Sequence, residues 1–367
     1  MTYYAPPGPR RGPIALLLAC ELLAVTLLPD SGAGASSAIH TIASTPYWNI
    51  RGGTDSVLAH PDELTEASPW LYGLDERGNV VLQQGQARTD GAAQIARLRD
   101  AGIEVTPTIA NVSDGHWQSA LVSRILHDPE AARRHVTDVV ALVERERYTG
   151  IDIDYEELTG ADRDAFSGFV TQLADALHAN GKRLSVDVFA KTTDAGYDQR
   201  NQAQDYAALG RAADQVRLMA YDYHWQTSAP GPIAPVSWVR SVLEYAVTQI
   251  PRAKIVLGIP LYGYDWVGHD GTPVSWLQVY GRSREFQAQV EWDGVSESPH
   301  LTYVDGQQVR HELWFENAYS ASAKLDLARE FRIGGVFLWM FGPEDDLIWA
   351  KLGQHWYLAG RGRRESS

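Results

Sequence analysis

With a single cysteine, Cys20, among 367 residues, the chain can form no intrachain disulfide and no cysteine-built zinc site. Histidine offers no substitute. His116, His127 and His135 stand apart without metal-ligand spacing, and no His-x-x-x-His pair with a catalytic Glu occurs. Basic residues are scarce too, with 32 Lys and Arg against 46 Asp and Glu, giving a net charge of -14. That sign disfavours a nucleic-acid backbone or an anionic membrane surface as partner, since both reward positive charge. No glycine-rich phosphate loop follows the first apolar strand, which argues against a nucleotide. The expectation is therefore a monomer with no metal, cofactor, nucleotide or nucleic acid. What the chain has in quantity is large rings, 12 Trp and 17 Tyr. Most would pack in a core, and some can stack on the apolar face of a ligand.

Long apolar runs are confined to Ile14 to Leu28, which follows Arg10 and Arg11, is interrupted by Glu21 and precedes the small residues around Ala33 and Ala38. Residues 1–38 thus read as a signal peptide or other targeting segment, and the protein as secreted or held at the cell surface. Leu17-Leu18-Ala19-Cys20 admits a lipoprotein variant. An uncleaved anchor is a third form, against which the charge of Glu21 counts.

The remaining stretch, residues 39–367, is about 330 residues long and suits one large domain better than a string of modules. Short apolar strands alternate with amphipathic helical segments. Strands are expected at Thr41 to Ile50, Pro69 to Leu74, Glu104 to Asn111, Gly150 to Glu156, Leu184 to Ala190, Val216 to Tyr223, Ile255 to Tyr262 and Gly335 to Phe341. Helices fall between them, among them Ala92 to Ala101, Trp117 to Leu126, Pro129 to Tyr148 behind an Asp128 cap, Asp162 to Asn180 and Ser320 to Phe331. Residues 266 to about 315 break this rhythm and read as a small α+β insertion between strands seven and eight. Eight strand-helix units match the closure number of a (β/α)8 TIM barrel, the α/β fold expected here. A doubly wound open sheet is the alternative.

One stretch stands out. Gly150-Ile151-Asp152-Ile153-Asp154-Tyr155-Glu156 places a carboxylate at every second position of an apolar strand, so Asp152, Asp154 and Glu156 share one face. An exposed edge strand with a wet acidic face would produce such a pattern, although it would normally mix in Lys, Thr or Ser. A cluster facing a cleft is favoured, because crowded carboxylates hold one another protonated, and a protonated carboxyl is a general acid. Glu156, Asp187, Tyr221, Asp222 and Trp339 all fall near strand C-terminal ends, which converge on one cleft in a barrel. An acid of raised pKa among carboxylates and rings is the equipment of glycoside hydrolysis. The second group could be a carboxylate such as Asp187 or Asp222, or the 2-acetamido group of the sugar itself.

The run Gly150 to Glu156, with Met219-Ala220-Tyr221-Asp222 and the late Trp339, resembles glycoside hydrolase family 18, the chitinase-like barrels. The family pattern Asp-x-x-Asp-x-Asp-x-Glu is met at Asp152, Asp154 and Glu156, with Thr149 in place of its first Asp. The resemblance implies that Glu156 is the catalytic acid/base and Asp154 the residue that holds the acetamide. It further implies that Asp152 is the buried partner of Asp154, that Tyr221 and Asp222 bind acetamide and sugar, and that Trp339 is the floor beneath them. Asp187, Tyr223, His224 and Tyr47 complete the expected substrate contacts. The segments Trp314 to Tyr319 and Gly334 to Trp339, with Asp222-Tyr223-His224-Trp225, are similar to the bacterial spore-cortex and cell-wall N-acetylglucosaminidase branch. The implied activity is retaining, substrate-assisted hydrolysis of β-1,4 bonds in a GlcNAc-containing glycan such as peptidoglycan or chitin. A non-catalytic glycan-binding protein on the same barrel is the rival reading.

Overall fold

The computed structural model describes residues 39–113, 115–342 and 344–360. The stretch expected to be a targeting segment, with Cys20 in it, lies outside the described residues. Eight parallel strands close into a barrel, with His40–Pro46 paired on one side to Glu66–Leu74 and on the other to Gly335–Trp339. Between these run Thr108–Ala110, Gly150–Asp154, Arg183–Phe189, Gln215–Met219 and Ile255–Pro260, each beside its successor in the barrel order. Helices cover the outside. In Arg163–His178 the apolar spacing turns Phe166, Phe169, Val170, Leu173 and Leu177 onto the strands, and all five are buried. Asp128 caps Pro129–Arg145 by accepting from the amides of Glu130 and Ala131.

Several boundaries differ from expectation. The first strand stops at Pro46 rather than Ile50, and the chain turns through Tyr47–Asn49 into an unexpected helix, Ile50–Ala59. Pro46 lacks an amide proton to continue the ladder, and Gly52 and Gly53 hid the helical pattern. The fourth strand ends at Asp154, so Tyr155 and Glu156 stand just beyond the sheet. The sixth ends at Met219, leaving Tyr221 to Tyr223 in the loop above it. His116–Trp117 pairs with Val112–Ser113 as a hairpin, and the helix expected from Trp117 begins at Ser119.

The interruption after the seventh strand starts at Tyr262, not 266. Strands Tyr262–Val267, Asp270–Ser275, Glu291–Asp293, Ser298–Val304 and Arg310–Phe315 form an antiparallel sheet of five, with the helix Trp276–Glu285 packed through Val279 and Trp276. The buried ion pair of Lys324 and Glu316, 2.7 Å apart, sits where this sheet returns to the barrel, and the Glu316 amide donates to Tyr262 O. The insertion is thereby fixed at its root beside the strand ends.

Candidate active site

Asp152 and Asp154 point into the barrel and are buried, at 0% and 5% exposure, so the alternating acids are no wet edge. Thr108 donates to Asp152 Oδ2 at 2.8 Å, and Arg217 Nη1 lies 3.5 Å from Asp152 Oδ1. Asp154 Oδ2 accepts the indole N–H of Trp70 at 3.0 Å. Its other oxygen, Oδ1, is buried, and the Glu156 carboxyl stands within hydrogen-bonding reach of the Asp154 side chain. Burial, then the charge of Asp152, pushes the Asp154 carboxyl up to about 7, against the Trp70 hydrogen bond that favours its charged form.

Glu156 is half-buried at the cleft wall. Burial first, then the charges of Asp154 and Glu157, raise its carboxyl well above the ordinary range, while Arg200 opposes the shift. Asp154 and Glu156 thus face one another as an interacting pair, both carboxyls held above the ordinary range. Burial first, then the charges of Asp152 and Asp154, raise the buried Asp187 carboxyl well above its ordinary range, while Arg217 opposes the shift. Burial and the surrounding carboxylates keep the Tyr221 phenol a neutral donor.

The cleft has two lobes that share Asp222. One, of about 420 Å³, is lined by Glu156, Tyr221, Trp117, Tyr223, Trp225 and Trp238. The other, of about 290 Å³, lies between Trp339 and Trp48 of the barrel and Tyr262, Tyr264, Ser275 and Gln278 of the insertion. Asp222 accepts from the phenols of Tyr262 and Tyr264 and adopts a left-handed backbone, φ 57°. Its carboxyl is accessible yet crowded, and this partial desolvation lifts it to about 6 despite the two phenols.

The structure thus brings Asp152, Asp154, Glu156, Tyr221, Asp222, Tyr223 and Trp339 together at the cleft or directly beneath it. Tyr47 lines neither lobe; it stacks on Trp70 with ring centroids 5.5 Å apart. His224 also lines neither, binding Ala229 O through Nδ1 at 2.9 Å and packing over Gly231, where a Cβ would meet the ring at 2.5 Å. Sequence reasoning missed Trp70, Thr108, Arg217, Tyr262, Tyr264 and Asn111, whose side chain binds the backbone of Glu156. Most of these act across the barrel, where local patterning carries no signal. Among the described residues no cluster of His, Cys, Asp or Glu is disposed to hold a metal ion.

Residues 47–344 match the family described as Glycosyl hydrolases family 18. The chain belongs to that family. Family 18 enzymes hydrolyse β-1,4 GlcNAc linkages with retention, using the substrate's own acetamido group, and the chain is a glycoside hydrolase of this type. The Bacillus subtilis protein YdhD is 36% identical over 84% of this chain and 74% of its own length. The cortical fragment-lytic enzyme of Bacillus subtilis is 31% identical over 85% of this chain and 74% of the relative. Among solved structures, a chitinase from Chromobacterium violaceum superposes with a TM-score of 0.81 at 30% identity, covering 87% of this chain and 99% of the chitinase.

The role of Trp70 in this family 18 site is open to a direct check. In Trp70→Phe, Asp154 loses the hydrogen bond that favours its charge, so more base is needed to ionise it. The acid limb of the kcat/KM profile on chitooligosaccharides is expected to move to higher pH. An unmoved limb would show that Asp154 does not control it.

Proposed function

We propose that the protein is an exported family 18 N-acetylglucosaminidase acting on a cell-wall or chitin-like glycan, with Glu156 as proton donor and Asp154 as the acetamide's partner. The observation that carries this reading is the buried Oδ1 of Asp154 beside the Glu156 carboxyl, both groups being held above their ordinary range. A GlcNAc unit seated over Trp339 would offer its acetamide N–H to that oxygen. Glu156 gives its proton to the glycosidic oxygen as the C–O bond breaks, and the acetamide carbonyl oxygen bonds to the anomeric carbon. The positive charge left on the acetamide nitrogen is balanced by the Asp154 carboxylate, whose charged form the Trp70 hydrogen bond favours. Tyr221 and Asp222 supply hydrogen bonds to the acetamide and the sugar. Water, losing a proton to the Glu156 carboxylate, then attacks the anomeric carbon from the face the leaving group vacated. The oxazoline ring opens with net retention, and Glu156 is protonated again.

Each lobe then takes one side of the scissile bond. The lobe containing Glu156, with Trp117, Tyr223, Trp225 and Trp238, suits the leaving sugar; the lobe of Trp339, Trp48 and the insertion suits the sugar that is attacked. Export is supported by Arg10, Arg11 and the apolar run that follows. Mass spectrometry of products from defined chitooligosaccharides and from purified peptidoglycan tests the assignment. Fragments with GlcNAc at the new reducing end are expected, and their first-formed anomer, read by NMR, is expected to be β. An α product, or binding without turnover on both glycans, would overturn it.

A further inference from the structure

We infer that Asn111 is a positioning residue for the proton donor, fixing the backbone of Glu156 by prolonging the barrel's parallel pairing past the end of the strand. This rests on Glu156 being the donor. Strand Thr108–Ala110 pairs in register with Asp152–Asp154, and the ladder ends with the Asn111 amide donating to Asp154 O at 3.3 Å. Tyr155 and Glu156 follow with no strand beside them, and at Glu157 the chain turns away through a left-handed conformation, φ 59°. A proton donor placed there would ordinarily ride on a loop.

The Asn111 carboxamide removes that freedom. Its Oδ1 accepts the Glu156 amide N–H at 2.8 Å, and its Nδ2 donates to Glu156 O at 2.9 Å. A side-chain amide thus meets a peptide unit as a neighbouring strand would, satisfying both the donor and the acceptor of the same residue. Asn111 is fully buried, and its own carbonyl accepts from Gln118 N at 2.7 Å. That last bond closes the hairpin carrying Trp117, which lines the same lobe as Glu156. Few other side chains could replace it. Asp can accept but not donate, Ala and Ser cannot span the gap, and Gln would add a methylene to a fully buried side chain.

Displacing a general acid harms reactions in proportion to how much help the leaving group needs. A sugar alkoxide needs the proton; an aryloxide such as 4-nitrophenolate departs with little assistance. In Asn111→Ala, kcat on a chitooligosaccharide is expected to fall about 10- to 100-fold, while kcat on the 4-nitrophenyl glycoside of chitobiose falls less than about threefold and KM for both stays within about twofold. Both rates come from one preparation, so any unfolded fraction cancels in their ratio. Asn111→Asp is nearly isosteric and keeps the fold accessible should the Ala variant not accumulate; lacking the Nδ2 donor, it is expected to show the same selective loss. Equal losses on the two substrates, or no loss in either variant, would reduce Asn111 to a structural residue. Glu156→Gln, assayed alongside, separates the failures: if that variant does not discriminate between the leaving groups, the assignment of Glu156 falls first.

Discussion

Replacing Glu156 by Gln is expected to lower kcat on chitooligosaccharides by about 10²- to 10⁴-fold, the usual contribution of one general acid, with substrate binding largely kept. Gln fills the same volume, and the Asn111 bonds reach only the backbone of residue 156, so the fold has no reason to change. Stability should move in the opposite direction to activity. Glu156 has a folded pKa raised well above its model-peptide value of about 4.3. A carboxyl raised in this way contributes stability that is fully present below its unfolded pKa and is lost as pH rises through the folded value. Above that value the fold must keep a charge crowded against Asp154 and Glu157. Gln removes the charge, so the Tm of the variant should exceed that of the wild type in alkaline buffer and approach it near pH 4. Scanning calorimetry across pH measures this. Retention of the full hydrolytic rate would sink the catalytic assignment, and parallel Tm curves would sink the account of the cluster's protonation.

How much of this was legible beforehand follows from the range of each interaction. The acid run could be read because a strand's period of two places its message within seven residues, and helix Arg163–His178 could be read for the same reason at period 3.6. The eight-unit rhythm, a sum of such local signals, gave the barrel. The partners that set the chemistry belong to other strands. Trp70 reaches Asp154 across 84 positions and Arg217 reaches Glu66 across 151, and no periodicity links residues so far apart. Among 12 Trp, nothing local marks Trp70 as a hydrogen-bond donor to an acid or Trp238 as a cleft wall. His224 and Tyr47 lie outside both lobes for a related reason. Each neighbours a cleft residue in sequence, but the turn that follows the strand sends the ring sideways, His224 onto Gly231 and Tyr47 onto Trp70.

Arg217→Met should destabilise the protein by about 3 to 5 kcal/mol, the cost of leaving buried carboxylates without their cation. The guanidinium is enclosed in the barrel, with 2% of its side chain exposed, and Nη2 lies 2.6 Å from Glu66 Oε1 while Nη1 lies 2.7 Å from Ser68 Oγ and 3.5 Å from Asp152 Oδ1. Glu66, Asp152 and Asp187 thus all face Arg217, and Glu66 is also held by Arg183, 3.2 Å from its other oxygen. Met matches the length of the arginine stem, so the loss measures charge more than packing. The double variant Arg217→Met with Glu66→Gln provides the control. If the deficit comes from uncompensated charge, removing one of the carboxylates as well should recover part of it, and the double variant will be more stable than the sum of the two single changes predicts. Urea denaturation of all four proteins gives the coupling. A single Met variant within about 1 kcal/mol of the wild type, or strict additivity across the cycle, would mean that Arg217 is held by the barrel rather than holding its acids.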